Sequence, residues 1–237
     1  MIKIIPKTVK YLIFANLIVY FICIVSMLLG YNLSNLLGLV PYLLVTKYYV
    51  WQFFTYMFVH AGPMHLFFNL LMLWMFGSDL SVLWGERFFL KYYTICGLGA
   101  GLTVLMLSPL DKASFITPTV GASGAIFGLF LAYGLIYKKK PIYVFGVVPI
   151  EARYLVLILG SIEFISLISE GDKTVSHIAH LGGLLTGYLY LKLKDIQRNR
   201  KSKNYKKWKD SLISKKINVI YNDFDKNNKP DNHIDWN

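Results

Sequence analysis

The sequence predicts an all-α, polytopic membrane protein with six transmembrane helices, and three observations support this fold class. Of the 237 residues, 55% are hydrophobic and 16% are charged, whereas soluble domains carry about 25% charged residues. The hydrophobic residues form long uninterrupted segments, close to the roughly 20 residues that a helix needs to cross the hydrocarbon core. Basic residues cluster after alternate segments, as they do in proteins that cross a bilayer repeatedly.

The six predicted spans follow one another along the chain. The first follows the basic residues Lys3, Lys7 and Lys10 and lacks a small-residue cleavage site, so we interpret it as an uncleaved anchor. Residues 1–194 are predicted to form the transmembrane domain, and residues 195–237 a basic, polar cytoplasmic tail. The predicted spans are approximately Tyr11–Leu29, His65–Leu83, Phe88–Leu107, Ser123–Tyr137, Tyr154–Ile168 and Val175–Leu193.

Charged residues between the spans predict the orientation of the chain. Arg87 and Lys91 follow the second span, and the cluster Lys138–Lys140 follows the fourth. With six crossings, these segments, the N-terminus and the basic segment after the sixth span all fall on one side. The other loops carry no such excess, so both termini are predicted to be cytoplasmic.

The net charge of +12 and the two cysteines exclude little by themselves. Many basic residues lie between Lys192 and Lys229, beside a predicted span, where they set topology or contact anionic lipid. We therefore expect the lipid bilayer, and no nucleic acid, as a partner. Cys23 and Cys96 lie in apolar segments without a CxxC motif, which predicts neither a disulfide framework nor a cysteine zinc site.

The long loop of residues 30–64 is predicted to be extracytoplasmic. It is too rich in aromatic residues to be simply solvated, and aromatic rings are favoured at the membrane interface. We expect the loop to lie partly in that interface. Its aromatic residues are Tyr31, Tyr42, Tyr48, Tyr49, Trp51, Phe53, Phe54, Tyr56 and Phe58.

Two clusters of polar and small residues lie inside predicted spans, where polar groups are costly and mark candidate functional sites. Gly121-Ala122-Ser123-Gly124 opens the fourth span, and Gly128 follows one turn later. A serine at a helix start is usually an N-cap, and GxSG is not the GxSxG elbow of soluble hydrolases. The sixth span carries the second cluster, in which His180, Gly183 and Gly187 share one helix face.

The two glycine stripes predict that the fourth and sixth spans pack closely together. Such packing would bring Ser123 near His180. Both spans enter from the extracytoplasmic side, so the two residues lie at a similar depth, a few residues below the surface. A third cluster, His60, His65 and Asn69, reaches the same side, and the last two share a helix face and can donate hydrogen bonds.

In order and spacing, these motifs resemble rhomboid intramembrane proteases. The resemblance extends from about Lys10 to Leu193 and includes Trp51-Gln52 and the stretch from Phe76-Gly77 to Tyr93. Two positions depart from the common family pattern: Gln52 stands where many members have Arg, and Ser81 where many have Glu. Both positions are regarded as structural, so the departures bear on anchoring of the first loop more than on chemistry.

The resemblance implies a six-helix rhomboid bundle with a serine–histidine dyad. Ser123 attacks the scissile carbonyl, and His180 takes its proton. The backbone N–H of Ser123, with His65 and Asn69, would form the oxyanion hole, and Phe127 would pack against the catalytic histidine. The implied substrate is the transmembrane helix of a single-pass protein, cut near its outer end. No cofactor or metal is expected, and the short loops fit a bacterial cytoplasmic membrane.

No carboxylate is predicted on the membrane side of His180, since Glu163 lies in the fifth span and Asp79 at the cytoplasmic end of the second. A dyad, with the imidazole oriented by packing against Phe127, is therefore favoured over a triad. We expect His177 to lie in a loop or gate.

Three alternatives remain open at the sequence level. The first is a metal site, since four histidines fall near one membrane face, although no HExxH motif is present; they are His60, His65, His177 and His180. The second is a non-catalytic relative that binds membrane proteins, but such relatives usually lack the serine or the histidine. The third is a small-solute channel, which only the polar residues within the spans favour.

Overall fold

A computed structural model describes residues 5–110, 112–144, 146–168 and 175–201. A first compact unit ends at Leu191, and a second unit starts at Lys192. In the second unit, the structure describes the helical residues up to Lys201. Most of the predicted tail, and the loop before the sixth predicted span, therefore lie outside the described residues.

The first helix, α1, covers Lys7–Leu28 and is almost entirely apolar, with few buried side chains. Such a surface suits a helix that faces lipid. Its N-terminus is tied to a later helix, because the backbone N–H of Lys7 and the hydroxyl of Thr8 donate to the carboxylate of Glu86. A carboxylate at this end complements the helix dipole.

The aromatic first loop is folded rather than extended. It contains the short helices α2 (Ser34–Leu37), α3 (Pro41–Lys47) and α4 (Gln52–Thr55), followed by a 3₁₀ turn at Tyr56–Phe58. An isolated antiparallel bridge between Leu39 and Thr119 joins the loop to the segment before the fourth predicted span. That the loop lies partly in the membrane interface stays a prediction.

The second predicted span is one rod with an irregular centre. Helix α5 (Pro63–Met72) continues through a π-helical turn (Leu73–Gly77) into α6 (Ser78–Trp84). The sequence predicted a single regular helix here, so the π turn is an unpredicted feature. Gly85, with φ of +80°, then turns the chain into α7, which covers Glu86–Leu107.

Helix α7 lies at the centre of the bundle and packs along α9, which covers Ser123–Ile136. Between them, a 3₁₀ turn (Ser108–Leu110) precedes the short helix α8 (Lys112–Ile116). The hydroxyls of two buried tyrosines hold this core together: Tyr92 donates to the carbonyl of Gly128, and Tyr56 to that of Gly97.

After α9 the chain forms a small antiparallel hairpin from β1 (Pro141–Val144) and β2 (Val148–Glu151). Two further helices follow, α10 (Ala152–Ile168) and α11 (Val175–Lys201). The six predicted spans thus correspond to helices whose described limits differ by a few residues, except that α11 continues beyond Leu193.

Three helical segments among the described residues are long and apolar enough to cross a membrane: Lys7–Leu28, Pro63–Trp84 and Glu86–Leu110. Helix α9 is apolar but, at 14 residues, shorter than a usual span. The molecule is therefore a helical integral membrane protein with three established candidate spans. The count of six stays a prediction.

Candidate active site

Ser123 is the first residue of α9, and its hydroxyl is not used as a cap. Ala122 occupies the N-cap position and makes no side-chain capping bond. Gly121 has φ of +119°, a conformation that residues with a side chain rarely adopt, and its N–H donates to the carbonyl of Tyr56 over 2.9 Å. The turn before α9 is thus held by the first loop and leaves the serine hydroxyl available.

His180, on α11, contacts this hydroxyl directly. Its Nε2 lies 2.7 Å from the Oγ of Ser123, which is within hydrogen-bond distance. The imidazole stacks on the ring of Phe127, with ring centroids 4.3 Å apart and planes inclined by 13°. The predictions that Ser123 approaches His180 and that Phe127 packs on the imidazole are confirmed as geometry.

Glycines allow this approach, as the two stripes predicted. A Cβ on Gly183 would collide with the carbonyl oxygen of Gly124, and one on Gly187 would lie 3.3 Å from the Cα of Gly128. On its other side, Gly128 faces Cys96 of α7, whose sulfur would lie 2.5 Å from an added Cβ. Helix α11 therefore packs on α9 backbone to backbone, which sets the short serine–histidine distance.

A carboxylate lies on the far side of His180, so the expectation that none shares its end of the bundle is wrong. Oε1 of Glu163 lies 3.0 Å from Nδ1 of His180, and the Glu163 side chain is only 13% exposed. Nδ1 itself is buried and makes no hydrogen bond within the described residues. The carboxylate oxygen and Nδ1 are therefore at ion-pair distance, but they do not have hydrogen-bond geometry.

The position of Glu163 in the chain contains a signal that would have revealed this contact. Glu163 lies five residues before the end of α10 at Ile168, and His180 five residues after the start of α11 at Val175. In helices that run in opposite directions, equal offsets from the connecting loop place two residues at one depth, here about 7.5 Å along each axis. Counting depth from the loop places the two residues at one level, and the rotation of α10 then decides that they face each other.

His177 belongs to α11 and not to a loop or gate, which corrects the sequence-based expectation. Its Nδ1 lies 2.6 Å from Oε2 of Glu163, so the carboxylate bridges two histidines one turn apart. The metal-capable atoms of Glu163, His177 and His180 all lie within 4.8 Å of one another. Among the described residues, this group, rather than four histidines together, is the candidate metal-ligand set.

His65 presents a hydrogen-bond donor next to Ser123. Its Nδ1 accepts from the N–H of Ala61 at 3.4 Å, so the proton of the neutral ring is on Nε2. A Cβ added to Gly121 would lie 2.8 Å from that Nε2 and 3.6 Å from the Oγ of Ser123. The Nε2 edge of His65 and the serine hydroxyl thus flank the same glycine.

Asn69, one turn after His65, is buried. Its Nδ2 donates to the carbonyl of His65 over 2.7 Å, while its Oδ1 finds no partner within the described residues. Since an amide nitrogen carries two protons, one donor remains for another acceptor. Asn69 and Ser123 both line a cavity of about 200 Å³, whose other walls are apolar side chains of α5, α9 and α10.

His60 packs behind His65, with ring centroids 5.1 Å apart. Its Nδ1 contacts the carbonyl of Phe58 at 3.3 Å, and its buried Nε2 has no partner in the described part of the chain. Burial and the neighbouring charge of His65 lower the pKa of His60 to about 4. His60 is therefore neutral at pH 7.

Gln52 and Ser81, the two departures from the family pattern, are both buried. Oε1 of Gln52 accepts from the N–H of Val40 at 3.0 Å, and its Nε2 donates to the carbonyls of Asn35 and Leu36 at 2.7 and 3.3 Å. Gln52 therefore links α4 to the segment of the first loop that runs from α2 to Val40. The hydroxyl of Ser81 has no partner within the described residues.

The fold and the site together define a polytopic helical membrane protein that holds a serine and a histidine in contact between closely packed helices. A family profile described as "Rhomboid domain" matches residues 47–194, more than half of the chain. The chain belongs to the rhomboid family.

Relatives from several kingdoms align with the chain. Rhomboid protein 1, mitochondrial, of Saccharomyces cerevisiae is 29% identical over 156 residues, covering 64% of this chain and 45% of the yeast protein. Rhomboid protease AarA of Providencia stuartii is 31% identical over 154 residues, covering 59% and 54%. Rhomboid protease GluP of Bacillus subtilis is 30% identical over 140 residues, covering 58% and 25%. The chain thus spans about half or less of these relatives' own length.

Proposed function

We propose that the protein is an intramembrane serine endopeptidase that cleaves transmembrane-helix substrates near their extracytoplasmic end. The observation that carries the proposal is the 2.7 Å contact between Ser123 Oγ and His180 Nε2 in an apolar helical bundle. A serine hydroxyl is a weak nucleophile until a base accepts its proton, and imidazole is the side chain best suited to that task near neutral pH.

In the proposed reaction, Oγ of Ser123 bonds to the scissile carbonyl carbon as its proton passes to Nε2 of His180. The carbonyl electron pair moves to oxygen, forming a tetrahedral oxyanion. When the carbonyl re-forms, the C–N bond breaks and the leaving amine takes the proton from Nε2. Water then attacks the acyl ester as its proton passes to Nε2. When this second tetrahedral intermediate collapses, the C–Oγ bond breaks and Nε2 returns the proton to Oγ of Ser123. The chemistry requires no cofactor.

Three donors are available for the oxyanion. The backbone N–H of Ser123 belongs to the first turn of α9, where N–H groups lack helical partners. Nε2–H of His65 lies against Gly121. Asn69, which keeps a second amide proton, lines the cavity that Ser123 also lines. Donors fixed before the reaction stabilise developing charge most strongly where water is scarce.

Glu163 extends the expected serine–histidine dyad. When His180 holds the proton of Ser123, it becomes a cation whose Nδ1 is 3.0 Å from the Glu163 carboxylate. Their attraction stabilises that state, and stacking on Phe127 fixes the plane of the ring. We assign Glu163 as a positioning residue, because it acts through His180 and not on the substrate.

The remaining site residues act through packing. Gly121 permits the turn that exposes the serine, and His60 supports the ring of His65 from behind. Gly124, Gly183 and Gly187 let α9 and α11 approach. Loss of the close glycine contacts between α9 and α11 would displace Ser123 from His180.

The apolar walls of the cavity beside Ser123 suit a lipid-soluble segment of a single-pass protein as substrate. A helix shields its peptide bonds within its own hydrogen bonds, so we expect substrates with helix-weakening Gly or Pro near the cut. We further propose six membrane spans, cytoplasmic termini and a bacterial cytoplasmic membrane. Mitochondrial and plant relatives leave that location open to test.

The test is labelling of the detergent-solubilised full-length chain with a fluorescent fluorophosphonate, which reacts with activated serines. Ser123→Ala and His180→Ala should abolish labelling, whereas Ser161→Ala, which removes an exposed serine of α10, should label like the wild type. Cleavage of a single-pass substrate in proteoliposomes, followed by mass spectrometry of the products, then locates the cut.

Absence of labelling and of cleavage in a well-folded wild type would refute the proposal and favour a non-catalytic relative. Labelling that persists in Ser123→Ala would assign the nucleophile to another residue. Cleavage that is unaffected when Gly or Pro near the cut is replaced would refute the expected substrate preference.

A further inference from the structure

His177 has no role in the proposed chemistry, yet it points at the same carboxylate as the catalytic base. Its Nδ1 lies 2.6 Å from Oε2 of Glu163, and Nδ1 of His180 lies 3.0 Å from Oε1. Two imidazole nitrogens from one face of α11 and a carboxylate from α10 thus converge. All three potential ligand atoms lie within 4.8 Å of one another.

The donor set matches a particular class of metal ion. Two histidines and one glutamate are the ligands of catalytic zinc sites, which keep a fourth position open. Zinc–nitrogen and zinc–oxygen bonds of about 2.0–2.2 Å place tetrahedral ligands roughly 3.3 Å apart. The observed separations of 2.6 and 3.0 Å would widen by about 0.7 and 0.3 Å to reach that spacing.

Burial distinguishes this cluster from a chance surface grouping. The side chains of Glu163, His177 and His180 are 13%, 18% and 14% exposed. The Nδ1 of His180 is buried without a hydrogen-bond partner in the described residues. In the tautomer that carries the ring proton on Nε2, the lone pair of this Nδ1 gains a partner when a cation binds.

We propose that Glu163, His177 and His180 form an inhibitory site for Zn²⁺. The proposal rests on the proposed protease function, because the ion acts by occupying the catalytic base. A neutral imidazole carries one ring proton. With Zn²⁺ on Nδ1 of His180, that proton resides on Nε2, which then donates to Ser123 and no longer accepts its proton.

The inhibition therefore leaves the serine–histidine distance unchanged and removes only the base. Mg²⁺ and Ca²⁺ prefer oxygen ligands and do not inhibit through this site. A chelator restores activity. His177 gives the site a ligand beyond the residues assigned to the reaction, which makes it the residue to change.

The first experiment measures cleavage of a single-pass substrate by the untagged full-length chain against increasing Zn²⁺. Each variant is compared with its own zinc-free rate. We expect His177→Ala to need at least about tenfold more Zn²⁺ for half inhibition than the wild type, since loss of metal-site residues weakens binding by this order. His60→Gln, which changes the other histidine pair, should be inhibited like the wild type.

Equal sensitivity of His177→Ala and the wild type would overturn the site, as would loss of inhibition in His60→Gln. Inhibition of the wild type by Mg²⁺ at the same concentration would also count against it. Restoration of the wild-type rate by EDTA is the expected result.

The second experiment separates the metal site from the protease function. Titration calorimetry with ZnCl₂ on Ser123→Ala should give one site, which the double variant Ser123→Ala/His177→Ala lacks. Zinc binding to Ser123→Ala without substrate cleavage by the wild type would refute the protease function and support the metal site. Cleavage by the wild type without binding to Ser123→Ala would do the reverse. If His177→Ala proves inactive, this binding comparison decides the proposal.

Discussion

Two histidine pairs flank Ser123, and their neighbours differ. The rings of His60 and His65 lie 5.1 Å apart and form no ion pair within the described residues. The rings of His177 and His180 lie 6.5 Å apart, and Glu163 bridges their Nδ1 atoms. Among the described residues, the first histidine pair therefore has no carboxylate partner, whereas the second pair shares one.

Under the proposed function, the difference suits the two pairs to opposite tasks. Without an anion nearby, the first pair is best kept neutral, and the lowered pKa of His60, about 4 through burial, agrees with that. A neutral His65 offers an N–H to a developing negative charge. The second pair can hold a positive charge beside Glu163, as a base must after it has accepted a proton.

The strongest expected effect removes the base. His180→Ala should lower kcat by about 10⁴-fold or more, because no other base contacts the hydroxyl of Ser123 in the part of the chain that the structure describes. Initial rates of substrate cleavage in proteoliposomes measure this. A loss below tenfold would mean that the two pairs are not divided into base and donors as described.

The two side chains proposed as oxyanion donors should give the next largest effect. Asn69→Ala and His65→Ala should each lower kcat by about 100- to 1,000-fold, since each removes one oxyanion donor. Met72→Ala, which alters the same cavity without removing a donor, should change KM more than kcat. Full activity of Asn69→Ala would exclude the donor role of that residue.

The carboxylate itself should contribute less. Glu163→Gln should lower kcat by about 10- to 100-fold, or roughly 1.4–2.7 kcal/mol of transition-state stabilisation, with little change in KM. Glu163→Asp keeps the charge and should recover part of the rate at equal thermal stability. A KM effect alone, or an unchanged kcat in Glu163→Gln, would show that His180 does not depend on its neighbour.

The smallest effect concerns stability at low pH. The pKa of His60 is about 6.5 in the unfolded chain and about 4 in the folded protein. Between these values, the unfolded state binds a proton that the folded state does not bind. Wild-type stability should therefore drop on acidification, by about 1–2 kcal/mol from this residue at pH 5. Thermal unfolding in detergent at pH 7.5 and 5 should show a smaller drop for His60→Gln. An equal drop would place His60 in contact with water.

The sequence predicted the contacts that depend on residues in register along one helix. The glycine stripes indicated how α9 and α11 pack, and the shared depth of their starts placed Ser123 near His180. Phe127 follows from the family resemblance and lies one turn from Ser123. The inferences from the glycine stripes and from the shared depth needed only helical periodicity and the direction in which each span crosses, whereas the contact of Phe127 was implied by the resemblance alone.

The contacts that the sequence did not predict depend on how neighbouring helices are rotated. Glu163 faces α11 because of the angle at which α10 packs, which hydrophobic periodicity does not specify in a helix that is apolar on most sides. The π turn at Leu73–Gly77 is equally invisible, since inserting one residue leaves the span just as hydrophobic.

Gln52 holds two parts of the first loop together without using a charge. Its fully buried amide satisfies the backbone of Val40, Asn35 and Leu36 through dipoles alone. Salt screens interactions between charges and protonation changes them, but neither acts on a neutral amide over the physiological range. These hydrogen bonds within the loop are therefore indifferent to ionic strength and acidity, so the loop whose Tyr56 carbonyl holds the turn before Ser123 is braced equally well in dilute and in saline surroundings.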